Sequence, residues 1–160
     1  MSYLFVKYLH FLGSAVLFGT GLGIAFFMLM AVRTGQVVVI AATARIVVVA
    51  DGVFTFTAAV LQPITGALLV SSMGYGFSDV WIVVSLGLYV LIGLCWVPVV
   101  FMQLEMARLA EAALAEQVDL PERFYQLYRR WFWLGWPAFF SMVVIFWLMV
   151  YKPSTFLGFQ

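Results

Sequence analysis

The pattern of charged positions divides the chain into long apolar segments. Four runs without a charged residue lie at 8–32, 52–78, 80–104 and 131–151, and they contain 25, 27, 25 and 21 residues. A helix needs about 20 mainly apolar residues to cross the hydrocarbon core of a bilayer, whereas barrel strands would give alternating segments of about 10 residues. The pattern predicts four transmembrane helices, which we call spans 1 to 4, at about 5–32, 46–71, 80–104 and 131–151.

Composition supports a membrane protein. Apolar residues make up 66% of the chain and charged residues 9%, with a mean hydropathy of +1.10, whereas soluble domains have roughly 45–50% apolar and about 25% charged residues. The spans must cover one another's polar groups inside the bilayer. We therefore predict an all-α, polytopic membrane four-helix bundle that forms one integral membrane domain over residues 1–160. Span 1 is too long for a signal peptide and is expected to be retained.

The two connections that carry most of the charge are expected to continue neighbouring helices. Arg45 and Asp51 belong to the start of span 2, which is predicted to extend beyond the membrane. Segment 105–120 is predicted to prolong span 3 in the same way. Asp119 is predicted to cap the N-terminus of span 4, because a proline follows it two residues later.

Basic residues are distributed unequally between the two ends of the predicted bundle. The end with the 1–2 and 3–4 connections, here called the arginine side, carries six of the eight: Arg33, Arg45, Arg108, Arg123, Arg129 and Arg130. The other end, the terminal side, carries Lys7 and Lys152. Because short cytoplasmic loops are enriched in Lys and Arg, we expect the arginine side to be cytoplasmic and both termini to be extracytoplasmic.

Glycine and proline within the spans allow two interpretations each. Gly19 and Gly23 form a GxxxG pair, which favours close helix–helix packing. Pro63, Pro98 and Pro137 each remove a backbone hydrogen bond. They either kink spans 2, 3 and 4 around a central cavity or are ordinary tolerated transmembrane prolines.

His10 is the only histidine of the chain and lies near the start of span 1. It can act as polar glue between helices, relay protons, or ligate iron through one ring nitrogen. Cys95 is the single cysteine, so neither a disulfide nor a cysteine-based metal site is expected. A single histidine cannot build a zinc or copper site without other ligands, but it is sufficient as a haem ligand.

Small residues follow His10 along one helix face. Gly13, Ser14 and Leu17 lie at i+3, i+4 and i+7 from it, where small side chains would leave room for a flat cofactor. By depth, Thr65 and Gly66 are expected level with His10. Met142 is also expected at about this depth and would be the only reasonable second axial ligand there, but the default expectation is an open or water-filled sixth position.

Three stretches resemble a known superfamily of small bacterial membrane proteins. They are VKYLHFLGSAVLFGTG in span 1, ATARIVVVADGVFTFTAAVLQPITG in span 2 and LYRRWFWLGWPAFFSMVVIFWLMVYKP in span 4. The superfamily includes the four-helix membrane protoporphyrinogen oxidases and the copper-resistance D proteins. Over essentially the whole chain, the sequence most resembles one of its uncharacterised families of integral membrane proteins. Span 3, SLGLYVLIGLCWVPVVF, departs from the oxidases, which are rich in histidine there.

The resemblance implies a b-type haem. His10 matches the span 1 histidine that binds haem iron in the oxidase branch, and Lys152 matches the lysine that closes span 4. Lys7 and Lys152 would both lie near the terminal side, where they could pair with the haem propionates. Arg45 lies at the opposite side and is expected to pair with Asp51 or with phospholipid.

Two functions of different class follow. The first is a haem-b redox protein of the bacterial cytoplasmic membrane that acts on a porphyrin-like or quinone-like substrate, with a membrane redox partner or a second copy of the chain. Whether such a protein would be an enzyme is left open. The second is a non-catalytic subunit of a larger membrane complex, with His10 as polar glue. The lipid bilayer is the expected surrounding in both cases, and no nucleic acid partner is expected.

Overall fold

The computed structural model describes residues 2–153, and these residues contain helices but no strands. Four helices are long and apolar enough to cross a membrane: Tyr3–Thr34, Val37–Met73, Val80–Glu116 and Glu122–Tyr151. They correspond to spans 1 to 4. The predicted all-α membrane four-helix architecture is confirmed.

The helices extend further on the arginine side than the charge-free runs. Gly35 caps the end of span 1 with a positive φ of 66°, a backbone conformation that suits glycine. Span 2 begins two residues later, at Val37. Span 3 continues to Glu116, as predicted. The prediction that Asp119 caps span 4 is wrong. The helix starts at Glu122, because Pro121 still has extended backbone with ψ of 153°.

Span 2 contains one irregular turn. Helical segments Val37–Ala50 and Phe56–Met73 flank a π-helical turn at Asp51–Thr55. Such single wide turns inside α-helices are rare and occur frequently at functional sites. This turn contains Asp51, the acidic residue of span 2.

The largest buried cluster lies toward the arginine side. The first half of span 2 packs between spans 1 and 3 there, through small residues such as Ala41, Ala44, Ala107 and Ala110. Phe124 from span 4 is fully buried in the same cluster. Small residues allow close approach of helix backbones, so this half of the bundle is joined across all four spans.

On the terminal side the helices associate mainly as two pairs. The second half of span 2 packs on span 1, and span 3 packs on span 4. Phe18 of span 1 connects the pairs by ring contacts with Phe139 and Phe146 of span 4. The Tyr89 hydroxyl donates a hydrogen bond to the Ala59 carbonyl, which links span 3 to span 2.

The three prolines and the two GxxxG glycines face away from the interior of the bundle. Pro63, Pro98 and Pro137 lie within continuous helices and are exposed, so they do not line a central cavity. A Cβ atom placed on Gly19 or Gly23 would meet no atom of another described helix within 4 Å. The GxxxG pair therefore does not mediate helix packing within the described part of the chain.

Candidate functional site

His10 is joined to span 2 by a short hydrogen bond. Its Nδ1 lies 2.8 Å from the Thr65 Oγ1, and Thr65 is buried between the two helices. A Cβ atom on Gly66 would lie 3.4 Å from the His10 Cε1, so the ring packs directly over this glycine. The expectation that Thr65 and Gly66 lie level with His10 is confirmed.

The hydrogen bonds of Thr65 favour one tautomer of His10. The Thr65 Oγ1 lies 2.7 Å from the Leu61 carbonyl oxygen and 3.2 Å from that of Gln62, within reach of its one hydrogen. With this hydrogen on the Leu61 carbonyl, the hydroxyl accepts from the imidazole. His10 Nδ1 consequently carries the proton, as inferred from this network, and Nε2 keeps its lone pair. Within residues 2–153, no hydrogen bond engages Nε2.

Gln62 makes a second link between spans 1 and 2. Its Nε2 donates to the His10 carbonyl at 2.9 Å, and a Cβ atom on Gly13 would lie only 2.8 Å from the same nitrogen. The lack of a side chain at Gly13 therefore leaves room for the Gln62 amide, which lies against it. In this conformation the Gln62 side chain fills the space next to Gly13.

The other residues of the predicted cofactor face also have contacts. The Ser14 hydroxyl donates to the Phe11 carbonyl at 2.8 Å within span 1. Leu17 is buried in a cluster with Ala58 and Met142. Because Leu17 lies about two helical turns from His10, Met142 is not level with His10. The expectation that Met142 lies level with His10 is therefore wrong.

The two lysines of the terminal side have aromatic neighbours. The Lys152 Nζ donates to the Tyr75 hydroxyl at 3.1 Å and lies 4.8 Å from the centre of the same ring and 5.7 Å from that of Trp81. The Lys7 Nζ lies 5.8 Å from the centre of the Tyr3 ring. Neither lysine forms an ion pair with a described acidic residue, so each positive charge remains available to an anion.

Asp51 does not pair with Arg45, although it is one of the two partners expected for that arginine, the other being phospholipid. The two residues are six positions apart, about one and two-thirds helical turns, so they lie on different faces. Arg45 is exposed, whereas Asp51 is buried. The Trp96 Nε1 of span 3 donates to both carboxyl oxygens of Asp51, at 3.2 and 3.1 Å.

Sequence reasoning missed two groups of interacting residues. Gln62 is a polar residue in the middle of an apolar run, and this position could have suggested a role opposite His10. Trp96 and Asp51 are distant in sequence and come from different spans, so no spacing rule connects them. The structure brings the pair together through the antiparallel packing of spans 2 and 3.

Comparison with known families adds one finding. The family described as predicted integral membrane protein (DUF2269) matches residues 4–153. The chain belongs to DUF2269. This assignment confirms the predicted membership of a family of integral membrane proteins and agrees with the four apolar helices. Among curated proteins and among solved structures, none matches the chain.

Proposed function

We propose that this DUF2269 protein is a b-type haem-binding redox protein of the bacterial cytoplasmic membrane, related to the membrane protoporphyrinogen oxidases and copper-resistance D proteins. The observation that carries the proposal is the state of His10. Thr65 accepts a hydrogen bond from Nδ1–H, and the lone pair of Nε2 is left for a metal. Histidines that ligate metals generally donate their second ring nitrogen to such an acceptor, which fixes the ring and its tautomer.

The residues around His10 fit an axial ligand site with one rearrangement. The imidazole is held by Thr65 and packs on Gly66. A macrocycle seated against Gly13 requires the Gln62 side chain to turn away. A b-type haem there would supply one-electron transfer, as axial ligation by histidine allows.

The remaining site residues would hold the periphery of the cofactor. Lys7 and Lys152 lie at the terminal end of spans 1 and 4, where their charges can attract propionates. Ser14 and Leu17 follow His10 along span 1, and they would contact the porphyrin edge once Gln62 has moved. The chain would contribute ligation, orientation and charge, and electrons would come from a porphyrin-like or quinone-like reductant or a membrane partner.

The colour of the purified protein tests the proposal. Expressed with ample haem and purified in detergent, the wild-type chain is expected to show a Soret band and about one b-type haem per chain, measured by the pyridine haemochrome spectrum. The control is the same membrane preparation without the expressed chain. A colourless, monodisperse protein would contradict the haem proposal.

A second candidate function is a non-catalytic subunit of a membrane complex or homo-oligomer. The observation in its favour is the position of Gly19 and Gly23, which meet no other described helix and leave a small-residue surface for a further helix. In that case, the hydrogen bond between His10 and Thr65 and the one from Gln62 to the His10 carbonyl serve to hold spans 1 and 2 together. The colourless result above would favour this candidate.

The proposed location carries a prediction on topology. A reporter fused after Lys152 is expected to be active on the extracytoplasmic side, and a reporter inserted near Glu116 on the cytoplasmic side, because six of the eight basic residues lie on the arginine side. Paired alkaline phosphatase and fluorescent protein fusions measure this. The reverse pattern would place His10 near the cytoplasmic surface and would contradict the proposed orientation.

A further inference from the structure

Asp51 is a buried carboxyl group well inside the bundle. His10 lies opposite Thr65, and Gly13 lies opposite Gln62, so the antiparallel register of spans 1 and 2 puts Asp51 level with residue 24 of span 1. That level is nine residues, about 13 Å, from Arg33 by the helical rise. Asp51 is 5% exposed. Ionisable residues at such depth usually line functional sites or are paired with another charge.

Two polar side chains of span 3 are directed toward Asp51. Besides the Trp96 indole, the Gln103 amide of span 3 contacts the carboxyl group. Oriented by its partners, Gln103 donates through Nε2 to the Asp51 Oδ2 at 3.2 Å and accepts through Oε1 from the Trp131 Nε1 at 3.1 Å. Asp51 therefore accepts hydrogen bonds from both Trp96 and Gln103. Trp131 of span 4 thus holds the Gln103 amide in this orientation.

The carboxylate has neutral donors but no cation. Within residues 2–153, no Lys or Arg side chain forms an ion pair with Asp51. Arg45, the basic residue of the same span, is exposed on another face. An unpaired charge within the membrane is energetically unfavourable. A cation next to this carboxyl group would offset that cost.

A cavity of about 200 Å³ lies beside the carboxylate, between spans 2 and 3. Its walls are apolar apart from Asp51 and Gln103, and Phe56 and Trp96 stack there with ring centres 6.3 Å apart. Phe56 is exposed at the mouth. A Cβ atom added to Gly52, also at the mouth, would meet no other atom within 4 Å. The cavity therefore opens laterally, toward the lipid rather than toward the bundle interior.

The chemistry of the cavity selects the kind of cation. Calcium and magnesium require about six or more oxygen ligands, and the described residues contain no cluster of three His, Cys, Asp or Glu side chains. Aromatic faces next to a carboxylate suit an ammonium group instead. We propose that this cavity binds a lipophilic organic ammonium compound from the bilayer, with its charge at Asp51 and its apolar part against Phe56 and Trp96.

Binding of a defined probe tests this site in the full-length, detergent-purified protein. The probe is tritiated trimethyl(2-phenylethyl)ammonium, measured by equilibrium dialysis, and the competitor is its neutral isostere with carbon in place of nitrogen. We expect saturable binding of about one probe per chain. The neutral isostere should compete at least about tenfold less well, because it lacks the charge that Asp51 attracts.

Two variants and a control locate the site. Asp51→Asn removes the charge and Gly52→Leu fills the mouth, and each should weaken binding at least about tenfold. Glu111→Gln removes an exposed carboxylate of span 3 and should bind as the wild type does. Equal competition by the neutral isostere, no saturable binding, or wild-type binding by either site variant would overturn the proposal. If Asp51→Asn does not fold, the isostere comparison and Gly52→Leu still decide the question.

Discussion

The His10→Ala protein is expected to lose the Soret band completely while it inserts into the membrane at the wild-type level. Haem held by one protein ligand depends on that ligand, and His10 is the only histidine of the chain. Insertion depends on the hydrophobicity of span 1, which the substitution raises. Absorption spectra of equal amounts of purified protein and quantification of the chain in membranes measure both effects.

Phe11→Ala is the matched control for this variant. Phe11 is the neighbouring residue and is 74% exposed, so its removal alters the surface of span 1 without touching Thr65 or Gly66. It should retain the haem of the wild-type protein. A His10→Ala protein that remains red would show that the iron is bound elsewhere, by another residue or another chain.

Thr65→Val is expected to reduce haem affinity about 10- to 100-fold, the usual effect of removing the hydrogen-bond partner of a metal-bound histidine. Valine has nearly the shape of threonine but cannot accept the hydrogen bond of Nδ1–H. The imidazole then donates less electron density to iron, so the reduction potential should rise. Haem transfer to apomyoglobin measures the affinity, and a redox titration measures the potential.

Two further variants separate ligand support from helix packing. Thr57→Val removes an exposed hydroxyl of span 2 that donates to the Val53 carbonyl, and it should leave both values unchanged. Thr65→Ser restores the hydroxyl and should recover most of the affinity and the potential. Wild-type affinity and potential in Thr65→Val would refute the role of Thr65 as the acceptor for His10.

The number and order of the helices could be predicted from sequence because charge is excluded from the spans. Their ends could not, because helices continue past the apolar core. Arg45 did not interrupt span 2, since a single exposed arginine can lie on the outer face of a helix and extend its charge to the interface. Span 4 starts at Glu122 and not directly after Asp119, because Pro121 still has extended backbone.

Depth could be counted from sequence, but the direction of each side chain could not. Counting residues placed Thr65 beside His10 correctly. It placed Met142 there incorrectly, because the register of span 4 against span 1 depends on packing rather than on distance from a charged end. In spans that are apolar on every side, periodicity does not identify the buried face. The match of Gln62 to Gly13 therefore appeared only in the structure.

The pairing of helices on the terminal side affects how a cofactor could enter. The largest buried cluster joins all four spans on the arginine side. On the terminal side the two helix pairs are joined by less: a small buried cluster around Val70, Trp81 and Leu148, the Phe18 ring contacts and the Tyr89 hydrogen bond to Ala59. Regions with fewer buried contacts open locally at lower free energy than the core. A haem could thus be loaded after translation and membrane insertion are complete, by local opening of the terminal side, while the opposite half keeps the bundle assembled.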